Sequence, residues 1–250
     1  MPRYFIEVAY NGKLYAGFQK QQNANTIQAE VEKALTIYFR SEFELTGASR
    51  TDTGVHAIQN FFHFDSEALP AKEILSVSVY RLNAILPPAI VIKNIFQVTG
   101  EAHCRFDAIS RTYEYVIYKE KNPFLFDSCF FYPYKLDFDK LNIAASEIMK
   151  YTSFVSFSKK STQVRTYDCN INESEWYMKE GLLIYRVTAN RFLRGMVRGL
   201  VGTMLKVGRN RMSMESFRLL LQQADPTSVD FSVPPHALTL IAVNYKNNKN

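Results

Sequence analysis

The stretch G-A-S-R-T-D-T-G-V-H-A, Gly47 to Ala57, joins two segments that both read as strands, Phe43 to Ser49 and Val55 to Asp65. In the second segment Ile58, Phe62 and Phe64 fall on one face by the two-residue period. Two adjacent strands joined by a short loop form the centre of a split motif, so the flanking elements decide the fold. Upstream, Arg3 to Tyr10 alternates as a strand, and Asn11-Gly12 is a turn signal of the kind that closes hairpins. Asn25 or Thr26 can cap a helix to about Phe39 that buries Ile27, Val31, Ala34, Leu35 and Tyr38. Downstream, Pro70 opens a helix to about Ile85, Pro87-Pro88 ends it, and Ala89 to Val98 supplies a strand. The order is β-α-β-β-α-β, which resembles a ferredoxin-like unit.

The second half repeats that order. Arg111 to Lys119 reads as a tyrosine-rich strand, and Asp137 caps a helix burying Leu141, Ala144, Ala145 and Ile148. Val164 to Tyr177 and Leu182 to Asn190 read as strands meeting near Gly181. Phe192 to Val207 and Ser213 to Gln223 read as helices, and Leu238 to Tyr245 closes as a strand. The expected class is α+β. It has two ferredoxin-like or RRM-like units, 1–108 and 109–250, with antiparallel sheets side by side. A central, positively charged cleft would bring the Asp52 loop to the basic helix of the second unit.

Of the 250 residues, 47% are hydrophobic and 22% charged, near globular averages and far from the composition of a disordered chain. No run reaches membrane-spanning length and the start lacks a secretory signal, so a cytoplasmic protein is expected. Cys104, Cys129 and Cys169 are far apart and lack C-x-x-C spacing, which indicates neither a disulfide framework nor a zinc site. The net charge is +6, and Gly181 to Met214 holds seven Lys or Arg residues with no Asp or Glu. Such a segment suits a polyanionic partner.

Asp52 stands on a loop between scaffold strands, where chemistry concentrates. Arg50, two residues away, can orient the carboxylate as an anion, which suits a nucleophile. The residues alone leave an Asx-type turn before Gly54 equally open. Asp52-Thr53-Gly54 also matches the short aspartic-protease signature, but the chain has no second D-T-G to share the proton. A glycoside hydrolase would pair Asp52 with Asp65 or Asp107, and nothing in the spacing requires that. A non-catalytic RNA-binding module would leave the carboxylate without a purpose. His56 and His63 lie on opposite strand faces by parity and make no metal pair. In the expected helix from Phe192, Arg191, Arg194 and Arg198 form a stripe beside the core face. Gly195, Gly199 and Gly202 signal close approach by a backbone or a ligand. Tyr113 and Tyr115 share a strand face and either pack in the core or stack on a base.

Together these residues resemble the tRNA pseudouridine synthase A (TruA) family, whose signature is G-x-G-R-T-D-x-G-V-H-A. The resemblance continues through His103-Cys104-Arg105-Phe106, Ser110-Arg111-Thr112-Tyr113, Phe154-Val155-Ser156-Phe157 and Asn190 to Gly202. It implies a tRNA-modifying isomerase that acts at positions 38, 39 and 40 of the anticodon stem-loop, works as a homodimer and needs no cofactor or metal. It further implies Asp52 as nucleophile and Arg50 against the tRNA. Tyr113 is implied on the target base, and Arg198 of the M-V-R motif near the aspartate. His103, Arg105, Phe106 and the Lys160 to Arg165 segment would contact RNA. Ser49, Thr53, Gly195 and Gly199 depart from the family's usual residues.

Overall fold

The computed structural model describes residues 1–67, 69, 72–159, 165–223 and 226–246. They form a mixed α+β protein that divides into two compact units, Met1–Ile109 with Leu240–Asn250, and Ser110–Thr239.

In the first unit β1 (Arg3–Tyr10) is followed by α1 (Ile27–Phe39), whose N-cap is Thr26: its side chain accepts from the Ala29 amide. Asn11-Gly12 closes no hairpin. Asn11 caps a single helical turn, Gly12–Leu14, because the chain must leave the sheet to reach α1. The expected strand from Phe43 to Ser49 shrinks to β2 (Thr46–Gly47). Side chains of α1 take the place of a ladder there: Glu32 Oε1 accepts from the Leu45 amide at 3.1 Å and Gln28 Nε2 donates to the Leu45 carbonyl at 2.7 Å. Next come β3 (His56–Asp65), α2 (Lys72–Ile85) and β4 (Ile90–Val98). The Pro70 start signal lies outside the described residues.

Strands β4, β1 and β3 pair antiparallel in that order, and β2 lies on β3. Register puts Tyr4 opposite Phe64 and Ile6 opposite Phe62 on one face, and Phe5 opposite His63 on the other. A bulge between the Val8–Asn60 and Tyr10–Ala57 pairs breaks the alternation. Ile58, expected beside Phe62 and Phe64, is therefore 53% exposed.

The second unit holds β5 (Ala108–Tyr118), β6 (Phe130–Phe131), α3 (Phe138–Ile148), β7 (Ile171–Lys179), β8 (Leu182–Ala189), α4 (Met196–Gly208) and α5 (Met214–Gln222). Asp137 caps α3 through the Lys140 amide. β8 pairs antiparallel with both β5 and β7. The strand expected from Val164 begins only at Ile171. Val164 itself lies outside the described residues, and the chain from Arg165 makes one isolated bridge, Ser153 to Asp168.

The helix expected from Phe192 begins at Met196, because Gly195 takes φ +74° and breaks the helical path. Arg191 and Arg194 are consequently loop residues and form no helical stripe with Arg198. Trp176 anchors this core, with its ring 5.0 Å from Tyr185 and its indole N–H on Met204 Sδ at 3.5 Å. The final strand, β9 (Leu238–Tyr245), was expected to close the second half; instead Leu240–Asn250 belongs to the first unit, where β9 lies beside β3.

Candidate active site

Asp52 is half-buried on the loop between β2 and β3, and Arg50 is exposed. Thr51 between them is buried, with its carbonyl accepting from the Phe18 amide at 3.1 Å. The Thr51 hydroxyl lies 2.8 Å from the Tyr10 hydroxyl. Fully buried Asn60 donates from Nδ2 to that same Tyr10 oxygen at 3.1 Å and to the Ser49 carbonyl at 2.8 Å. Asn60 thus uses the phenol oxygen as an acceptor, and the same oxygen shares a hydrogen bond with the Thr51 hydroxyl. Burial raises the Tyr10 phenol well above its ordinary range and keeps it neutral, the bonds to Thr51 and Asn60 opposing only in part.

Past Asp52 the chain turns back. Its carbonyl accepts from the Val55 amide at 3.2 Å while Gly54 adopts φ +79°, the sign that a type II turn needs at its third position. The loop is braced from β1's side as well. Gly17, at φ +102°, brings its backbone so close that an added Cβ would stand 3.2 Å from the Thr51 carbonyl oxygen. An added Cβ on Gly12 would overlap the Val55 carbonyl, and the Gly12 amide donates to His56 Nδ1 at 3.0 Å. These contacts fix the backbone of the loop that carries Asp52. Ser49 Oγ is buried without a hydrogen-bond partner among the described residues.

His103, Arg105 and Phe106 occupy the turn between β4 and β5. The Asp107 carboxylate accepts from the His103 amide at 2.7 Å, and His103 Nδ1 accepts from the amides of Arg105 and Phe106. Phe106 is 75% exposed, with its ring 4.2 Å from His103 and the Arg105 guanidinium 5.9 Å above it. A cation and an open ring side by side suit an unpaired base and its phosphate. Below them, burial, with His103 and Arg3 adding to it, lowers His63 to about 4, and burial also lowers His103. The carboxylates that a glycoside hydrolase would need are committed to structure. Asp65 makes two bonds to Arg3, at 2.7 and 2.8 Å, and Asp107 caps the His103 turn.

In the second unit Tyr113 of β5 is 8% exposed and meets Phe192 edge-on at 5.2 Å. Arg198 of α4 is half-buried, donating from Nε to the Val233 carbonyl at 2.8 Å and from Nη2 to the Phe231 carbonyl at 3.0 Å. It ties down the 229–233 segment. The close approach signalled by Gly202 is made by that same segment, since an added Cβ would fall 2.2 Å from the Asp230 carbonyl oxygen. The basic segment is less open than its sequence suggests. Arg186 pairs with Glu114, Lys206 with Asp230, and Arg209 stacks 3.7 Å over Tyr134. Arg165 is exposed, and residues 160–164 before it lie outside the described residues.

Sequence reasoning missed Tyr10, Asn60 and Gly17. The available signal was a polar Asn in an otherwise apolar strand pattern, since a buried amide needs partners.

A family profile described as tRNA pseudouridine synthase matches residues 6–107 and 152–246, which include the Asp52 loop, the His103 turn and α4. The chain is similar to "tRNA pseudouridine synthase A" of Parabacteroides distasonis, 42% identical over 245 residues that cover 98% of this chain and 96% of the relative. It is 42% identical over 249 residues to the protein of that name from Azobacteroides pseudotrichonymphae, covering 99% and 98%. With the one from Francisella tularensis subsp. novicida it shares 35% over 247 residues, covering 98% and 95%.

Proposed function

This chain belongs to the tRNA pseudouridine synthase family, and on that premise we propose that it converts uridines 38, 39 and 40 of the tRNA anticodon stem-loop to pseudouridine, with Asp52 as nucleophile. Membership makes it an isomerase. The observation that supports the finer reading is the pinned loop: Thr51, Tyr10, Asn60 and Gly17 fix the backbone beside half-buried Asp52.

The reaction needs such a group. The bond between ribose C1′ and uracil N1 breaks, the freed uracil turns, and C1′ bonds to C5. The C5 hydrogen leaves as a proton and N1 gains one, so no electrons are exchanged with a partner. A carboxylate placed at the sugar or base supports the departure of uracil, and a fixed loop lowers the reorganisation needed at that moment. A stem uridine must first leave its stack, at a cost of a few kcal/mol. Contacts proposed to repay that cost come from Arg50 beside the aspartate, Tyr113 on the target base, Arg198, the His103-Arg105-Phe106 turn and Arg165.

The proposal extends to the positively charged cleft and the ferredoxin-like character of each unit. The order β4-β1-β3 with β2 on β3 supports the latter for the first unit. It extends also to a homodimer acting in the cytoplasm. Among the described residues no helix is long and apolar enough to cross a membrane. The test is to map pseudouridine in unmodified tRNA transcripts after incubation with the wild type and with Asp52→Asn. The reading expects new pseudouridine at positions 38 to 40 with the wild type only, and equal tRNA binding by both. Modification by Asp52→Asn at the wild-type rate would remove Asp52 from the chemistry.

A further inference from the structure

On the far face of the first unit's sheet, three side chains with metal-binding atoms converge. His63 of β3, and His103 and Cys104 of the turn after β4, each present one donor atom, and the three atoms lie within 4.8 Å of one another. His63 Nδ1 stands 3.2 Å from Cys104 Sγ, and the two imidazole rings are 4.5 Å apart, edge to face. His63 and Cys104 are buried, while half-buried His103 reaches the surface.

We propose that His63, His103 and Cys104 form a binding site for a thiophilic cation of the Zn2+ type, with three protein ligands and a fourth position for water. Imidazole nitrogen and thiolate sulfur are both ordinary Zn2+ ligands, and three protein ligands with water in the fourth position is an arrangement that Zn2+ takes. With Zn–N at about 2.0 Å and Zn–S at about 2.3 Å, tetrahedral geometry sets nitrogen and sulfur roughly 3.5 Å apart. The observed 3.2 Å contact needs to open only slightly. In the metal-free protein the Cys104 thiol donates to the Thr46 carbonyl at 3.1 Å. On binding, the S–H bond breaks, an S–Zn bond forms, and the proton passes to solvent.

The site couples to its surroundings through His103. Its ring packs against Phe106 and its Nδ1 accepts the Arg105 and Phe106 amides. A cation that draws the ring inward shifts the turn that presents Arg105 and Phe106. This consequence rests on the proposed function, in which that turn contacts tRNA; the cation site does not. Zn2+ is therefore expected to weaken tRNA binding.

Full-length, chelator-treated protein is titrated with Co2+ as a spectroscopic stand-in. One equivalent should produce a thiolate-to-cobalt absorption band in the near ultraviolet, release about one proton, and lose the band on adding Zn2+. Cys104→Ala should abolish the band, and Cys129→Ala with Cys169→Ala should keep it. No band in the wild type, or a band surviving in folded Cys104→Ala, overturns the site. Should Cys104→Ala not fold by circular dichroism, half-buried His103→Gln decides: cobalt affinity should fall roughly tenfold or more, and unchanged affinity overturns the proposal. Zn2+ should then weaken tRNA binding by the wild type; equal binding with and without Zn2+ overturns the coupling alone.

Discussion

The Tyr10 hydroxyl stands 2.8 Å from Thr51 Oγ1, one residue ahead of Asp52, in a buried pocket that Asn60 closes from the other side. The two residues come from β1 and from the loop, 41 positions apart, and the bond sets where the aspartate backbone can go. Tyr10→Phe removes that bond and leaves Thr51 and Asn60 each short of a partner. It should lower stability by about 1–2 kcal/mol. It should also cut kcat by roughly 10- to 100-fold with little change in KM, since a displaced carboxylate loses its geometry and not its substrate. Thermal melts and steady-state kinetics check both.

Gly17 supports the same loop through conformation alone. Its φ of +102° disfavours any side chain, and an added Cβ would press on the Thr51 carbonyl. Gly17→Ala should cost about 1–3 kcal/mol and reduce kcat in the same sense as Tyr10→Phe, measured side by side.

In α4, Gly202→Ala would drive a methyl into the Asp230 carbonyl. About 1–3 kcal/mol of stability should be lost, and with it the 229–233 segment that Arg198 holds. Gly100, where an added Cβ would meet no described residue within 4 Å, is the control. Gly100→Ala should stay within about 0.5 kcal/mol of wild type in a urea melt.

Glu147 on α3 takes Lys150 at 3.0 Å and Arg218 of α5 at 3.3 Å. Lys150 first, then Arg218, hold its carboxyl below the ordinary glutamate value of 4.5. A depressed folded value means the contribution is full above that ordinary value and is lost as pH falls through the folded one. Glu147→Gln should melt earlier than wild type at pH 7, by about 1 kcal/mol given the exposed cations. The gap should close as the pH drops below the ordinary glutamate range. An equal gap at every pH would assign the loss to packing instead.

Alternation and capping residues made much of the fold legible. β1, β3, β4, β8 and β9 start and stop within a residue or two of their apolar patterns, and Thr26 and Asp137 cap as their side chains suggest. What escaped the sequence was set by partners far along the chain. β2 is short because Gln28 and Glu32 reach over from α1. Ile58 changed face because of a bulge that only pairing with β1 reveals. The acid-free basic segment seemed open until Glu114 and Asp230 arrived from other elements. The loop that carries Asp52 was legible in the sequence; the residues that steady it were not, because Tyr10 and Asn60 lie 50 positions apart.

In the proposed reaction the Asp52 carboxylate drives a cofactor-free isomerisation of uridine in tRNA. Unmodified tRNA transcripts carrying tritium at uracil C5 release it to water only when that carbon bonds to the ribose. With chelator present, wild-type protein should release tritium at catalytic turnover, and Asp52→Asn should release none while binding tRNA equally well. Tight binding by both proteins with no release by either would contradict the claim and leave an RNA-binding protein on a synthase scaffold.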